Sequence, residues 1–108
     1  MSWSHSAAIM VGAGGGTLEA LPKAVQKVYW EHGSIRVGRF ELVWRGDAHD
    51  EEAVFGAVLR EVDQHGRAES MDPCDLREDI GDALTCLRSA FLGWGLPEPK
   101  LWLVFTYR

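Results

Sequence analysis

The sequence predicts an α+β domain, a small and mostly antiparallel sheet with three helices packed on one face. Three observations predict it. A long amphipathic helical pattern opens at Asp72-Pro73, two alternating apolar runs meet at Gly38-Arg39, and an unbroken β-rich run extends from Leu101 to Tyr107. The sheet is then a hairpin over 34–45 plus a C-terminal strand over 100–107, with a short N-terminal strand as an optional third part.

The helix that begins at Asp72 has the clearest signals. An Asp side chain accepts from free backbone N–H groups of the first turn, and Pro at the first helical position gives up only an orphan donor. Asp75 and Glu78 add negative charge near the positive end of the helix dipole. Leu76, Ile80, Ala83, Leu84, Leu87, Ala90 and Phe91 recur at three- and four-residue steps and form one stripe. Gly93 is the expected stop, with Gly95, Pro97 and Pro99 beyond it. In the following strand Leu101, Leu103, Phe105 and Tyr107 alternate with Trp102, Val104 and Thr106. Both faces are largely apolar, so the strand is expected to be covered twice. The first set should meet the helices. The second, with Val43, should be the seam of a self-association.

Residues 34–45 read as a hairpin with Gly38-Arg39 in a type II′ turn. Val37 then faces Phe40, Ile35 faces Leu42 and Gly33 faces Trp44, while Arg36 and Glu41 pair on the other side. A single long strand with a bulge at Gly38 is the alternative. Ahead of it a first helix runs from Thr17 or Leu21 to His32, with Leu18, Leu21, Val25, Val28 and Tyr29 inward, Trp30 outward and Gly33 as cap. A second helix is expected over 49–65, capped by Asp47 or Asp50 and buried through Val54, Phe55, Val58, Leu59 and Val62. Residues 1–16 read as a Gly-rich leader, in which Ala7 to Val11 could form the short strand. Strand, glycine run and helix is also the order of a dinucleotide-binding turn, but Thr17 stands where the fingerprint needs Gly or Ala.

A chain of 108 residues forms one domain, 1–108, able to bury about two thirds of its unfolded surface. The net charge of −5 argues against nucleic acid, because no basic stripe exists to neutralise phosphates. No apolar run of about 20 residues predicts a membrane span, and the start lacks the basic segment of a signal peptide. Cys74 and Cys86 sit roughly 18 Å apart along the helix and cannot pair there. Cys74 should be exposed and Cys86 partly buried. Reduced thiols fit a cytoplasmic protein.

Two constellations could carry chemistry. Asp75, Glu78, Asp79 and Asp82 share one side of the long helix, and hard oxygen donors one turn apart can hold Mg²⁺ or Mn²⁺. Dipole compensation and solubility explain the same acids without a metal. His49 and Glu52, near Asp47 and Glu51, form a polar cluster that could ligate a metal or share a proton, or simply cap a helix. Glu78-Asp79-Ile80-Gly81-Asp82-Ala83-Leu84 resembles the second metal motif of MazG-type nucleoside triphosphate pyrophosphohydrolases. The resemblance implies ligand positions at Asp79 and Asp82. It covers about seven residues. The family's preceding Glu-Glu-x-x-Glu is matched only at Glu51-Glu52, with Phe55 in place of the third acid, and the family is all-helical. Membership does not follow.

Five tryptophans exceed what a small core needs, which ranks an interface or apolar pocket high. Trp30, Trp44, Trp94, Trp102 and Val104 are the candidates, and Trp44, Trp94 and Trp102 could wall a small-molecule site. The sequence therefore reads as a small non-catalytic interaction protein, without cofactor. It self-associates through its sheet and offers an aromatic pocket or acidic surface to a protein or small-molecule partner. The alternative is a metal-dependent hydrolase of a phosphate-containing substrate that uses the acidic helix face.

Overall fold

The computed structural model describes residues 5–14, 21–45, 53–63 and 72–107. Its elements are β1 (His5–Gly14), α1 (Lys23–His32), β2 (Ile35–Val37), β3 (Phe40–Arg45), β4 (Val54–Asp63), α2 (Pro73–Trp94) and β5 (Lys100–Tyr107). The α+β class is as the sequence predicts. The five strands form one sheet in the order β2-β3-β4-β1-β5, and every neighbouring pair is antiparallel. β1 and β3 consequently run parallel with β4 between them, and β4 and β5 run parallel with β1 between them. Two split β-α-β crossovers interlock, and both helices lie on the same face.

Among the described residues there are two helices, not three. The helix expected over 49–65 is contradicted: Val54–Asp63 is strand β4. Its apolar residues fit a helical stripe only because Val54 to Ala57 are all buried, on both faces of the sheet. A strand covered on both faces loses its period-two alternation. The valines favour the extended form, and Gly56 inside the run weakens a helix. The leader is corrected as well. Residues 5–14 are not a flexible segment but β1, the strand between β4 and β5. Gly12 and Gly14 are therefore strand residues, not a phosphate-binding turn.

The hairpin has the predicted register: Val37 opposes Phe40, Arg36 opposes Glu41 and Ile35 opposes Leu42. Gly38 has φ +59° and no non-glycine among the described residues, Arg39 included, has positive φ, as a type II′ turn requires. α1 is shorter than expected, beginning after Pro22, and ends on Gly33 in the left-handed conformation. Val28 of its expected stripe is exposed, whereas Leu21 is buried. α2 starts where the sequence places it, with the Asp72 carboxylate accepting from Cys74 N–H at 2.8 Å. It continues through Gly93 and is capped by Gly95, whose N–H donates to the last turn. A glycine inside a helix weakens it by about 1 kcal/mol without ending it, whereas Gly95 at φ +75° takes a shape other residues resist.

The core lies between sheet and helices. Phe91, Leu87 and Ala83 of α2 pack on Val11, Phe55 and Leu42. The Phe55 and Phe91 rings stack at 6.1 Å, and Tyr29 meets Phe55 edge-on at 6.1 Å. A second cluster of Ala8, Met10, Val54 and Val104 lies on the other face, where no described helix stands. The sheet covers this face by curling. Arg45 pairs in the ladder with Val54, seven residues along β4 from Glu61, a flat distance of about 23 Å. The Arg45 and Glu61 side chains nonetheless meet at 3.5 Å.

Candidate functional site

The site is built from β5. In the β1–β5 ladder Leu101 stands opposite Val11, Leu103 opposite Ile9 and Phe105 opposite Ala7. Side chains of opposed residues share a face, and Val11 belongs to the helix-side core. Leu101, Leu103 and Phe105 thus point to the helix side, as the alternation predicts. They are not covered there. α2 lies chiefly over β1, β4 and β2, and β5 is the outermost strand. Leu101 remains 53% exposed, Leu103 60% and Phe105 59%. Leu92, on the neighbouring helix, is 80% exposed. The flank of α2 that carries Arg88 faces this row, since Arg88 pairs with Glu98 just before β5 at 3.4 Å.

The expected seam is therefore on the wrong side of the strand. Val104 is only 7% exposed, and Trp102 is half-buried against the second cluster. The Trp102 indole lies across β1, its Nε1–H donating to the Gly12 carbonyl at 2.8 Å. A Cβ on Gly14 would stand 2.6 Å from that ring, so the bare glycine makes room for it. Val43, of the same expected seam, is half-buried opposite Gly56.

Among the described residues no strand pairs with the outer edge of β5. Edge strands are usually protected by charge, proline or a bulge. Pro99 and Lys100 stand at its start, but Leu101 to Tyr107 carry no charge, proline or glycine, and the β1–β5 register is unbroken.

The tryptophans do not converge. Trp44 packs on Phe55 at 5.4 Å, with its backbone N–H donating to the Tyr29 hydroxyl at 3.2 Å. Trp94 packs on Phe91 at 6.0 Å. Both belong to the helix side, whereas Trp102 belongs to the other face. The three cannot wall one pocket. Trp30 is 74% exposed at the surface of α1, as the helical wheel predicts.

The acids of α2 are engaged elsewhere. Asp79 accepts from Arg60 of β4 at 3.0 Å and from Arg39 of the hairpin turn at 3.4 Å. Arg39 also meets Asp82 at 2.9 Å and covers the Phe40 ring at 4.6 Å. The Arg60 hydrogen bond is the largest influence on the Asp79 carboxyl; desolvation opposes it, and the Arg39 hydrogen bond, smaller than either, helps hold the group below its ordinary range. The same contact with Asp79 raises Arg39. Asp75 and Glu78 are exposed. Among the described residues no group of three His, Cys, Asp or Glu side chains is placed to share a metal ion. The ligand positions implied by the pyrophosphohydrolase resemblance are thus paired with arginines, and Phe55, the described residue of the partner motif, lies in strand β4. His49 and Glu52, with Asp47 and Glu51, lie outside the described residues. Cys86 is exposed like Cys74, and both are free thiols, which corrects the expectation of partial burial. No helix among the described residues is long and apolar enough to cross a membrane.

Periodicity announced the β5 row but not its exposure, because coverage depends on where α2 lands. Comparison with family models, with curated proteins and with solved structures gives no match.

Proposed function

We propose that the protein is a small non-catalytic interaction module that self-associates through its sheet, with β5 as the working surface. One observation carries this reading: Leu101, Leu103 and Phe105 stand exposed in line on the free outer strand of an otherwise well-packed sheet. Single exposed apolar residues are ordinary, but a row of three on an uncharged edge is the pattern of an association surface. The hydrolase reading lacks comparable support, since Asp79 and Asp82 are neutralised by Arg39 and Arg60.

Light scattering or sedimentation across a dilution series tests the proposal. The expected result is a mass that rises with concentration above that of the 12.0 kDa chain. A constant monomer mass up to about 500 µM, a concentration that would reveal even a weak dimer, rejects it. Thermal melts with millimolar Mg²⁺ or Mn²⁺ test the rival, because an ion bound to the native state must raise the melting temperature. No shift is expected.

A further inference from the structure

The exposed row and the free edge belong to the same strand, and together they select an occupant. We infer that β5 pairs antiparallel with β5 of a second copy, about a two-fold axis at Leu103, to make a continuous ten-stranded sheet. This rests on the self-association reading and specifies its strand, direction and register. An edge strand offers every second backbone N–H and C=O to another strand. A two-fold axis perpendicular to the sheet makes equal strands antiparallel, which is the sense of every pair already in it.

The side chains choose the register. With Leu103 on the axis, Leu101 opposes Phe105 of the other copy, Leu103 opposes Leu103, and Trp102 opposes Val104. Every exposed apolar member of the row then meets another exposed member. Trp102 and Val104 also stand opposite each other, but both are already packed within their own copy and take no part in choosing the register. Moving the axis to Trp102 sets Lys100 against Val104 and Phe105 against Pro99. Moving it to Val104 sets Trp102 against Thr106 and leaves Leu101 opposite Tyr107 instead of another of the three. Charge agrees with area. The one charged residue of β5 is Lys100, and the two-fold sets it opposite Thr106 at the two ends of the seam, so no like charges face each other. Seven residues, 100–106, pair along each strand and span about 24 Å. With six apolar side chains they bury somewhat under the ~1,200 Å² at which stable interfaces begin. The dimer is accordingly of the weak, concentration-dependent class.

Cross-linking tests the register in the full chain. Cys74→Ser and Cys86→Ser remove the two exposed thiols, and Leu103→Cys is added on an exposed position that leaves the core untouched. Opposed residues have Cβ atoms about 4.5–5.5 Å apart, just within reach of a disulfide after a small adjustment. Oxidised glutathione should convert Leu103→Cys to covalent dimer at least about tenfold faster than Leu101→Cys or Phe105→Cys alone. An equimolar mixture of those two should cross-link to each other. Each variant is first shown by thermal melt to be folded. If sedimentation finds a dimer but Leu103→Cys cross-links no faster than its neighbours, the register and edge pairing are wrong and the self-association reading stands. If the unmodified chain is monomeric throughout, that reading itself fails.

Discussion

Asp79 is a carboxylate that meets two arginines from different elements. It ties α2 to β4 through Arg60 and to the hairpin turn through Arg39. Its carboxyl is held below the ordinary value of 3.8, so ionised Asp79 favours the folded state. That contribution is complete above the unfolded value and is lost as pH falls through the lower folded one. Asp79→Asn should therefore melt at a lower temperature than the parent between pH 5 and pH 8, with the gap closing below about pH 4. Melts by circular dichroism across this range check the sign. The glycines of the sheet matter for another reason. A Cβ on Gly56 would meet the Val11 carbonyl oxygen, and one on Gly12 that of Phe55. Gly56→Ala must push the two strands apart, and a loss of about 1–3 kcal/mol or more is expected in urea unfolding. Trp102→Phe keeps most of the ring but gives up the Nε1–H bond to Gly12, a smaller loss of about 0.5–1.5 kcal/mol.

At the scale of elements, α2 and β5 behave in opposite ways under substitution. Phe91 is fully buried between α2 and the sheet and stacks on Phe55, so Phe91→Ala should destabilise by about 3–5 kcal/mol. Leu103 lies in a strand with no described cover on its helix side. Leu103→Lys should change stability at low concentration by no more than about 0.5 kcal/mol. The same change places two like charges on the proposed axis, and sedimentation should find only monomer. A stability loss comparable to that of Phe91→Ala would mean that the row is core, not surface. α2 was the most legible element because its cap and stripe are local: Asp72 and Pro73 act on their own first turn. β4 was misread because its apolar spacing, Val54, Phe55, Val58, Leu59 and Val62, suits either structure. Which one forms is decided by β1, whose Val11 and Gly12 are paired to Ala57 and Gly56 across more than forty residues.

For the molecule as a whole, the order β2-β3-β4-β1-β5 sets where association can occur. The two described helices do not cover all five strands, and the crossovers place them over the β2 side and the middle. The strand left over is β5, and its row is what remains open to a partner. The aromatic load, read as a sign of a pocket, instead divides between the two faces of the sheet. The acidic helix face, for which a solvated surface and a metal site were the two readings, ties α2 to β4 and the hairpin turn through Asp79 and Asp82. Both outcomes followed from long-range placement of ordinary residues.

What the sequence determined by itself was local. The α+β class, the II′ turn at Gly38-Arg39 with its pairing, the start of α2 and the alternation of β5 each follow from steric and hydrogen-bonding rules within about twenty neighbouring residues. Tertiary structure decided the rest: that 54–63 is a strand, that Asp79 meets two arginines, and that Leu101, Leu103 and Phe105 rather than Trp102 and Val104 are open. The physical reason is that burial belongs to a position in the sheet and not to a residue. Alternation assigns each side chain a face, but only the landing of α2 on β1 and β4, and the curl that closes the opposite face, settle which face meets water.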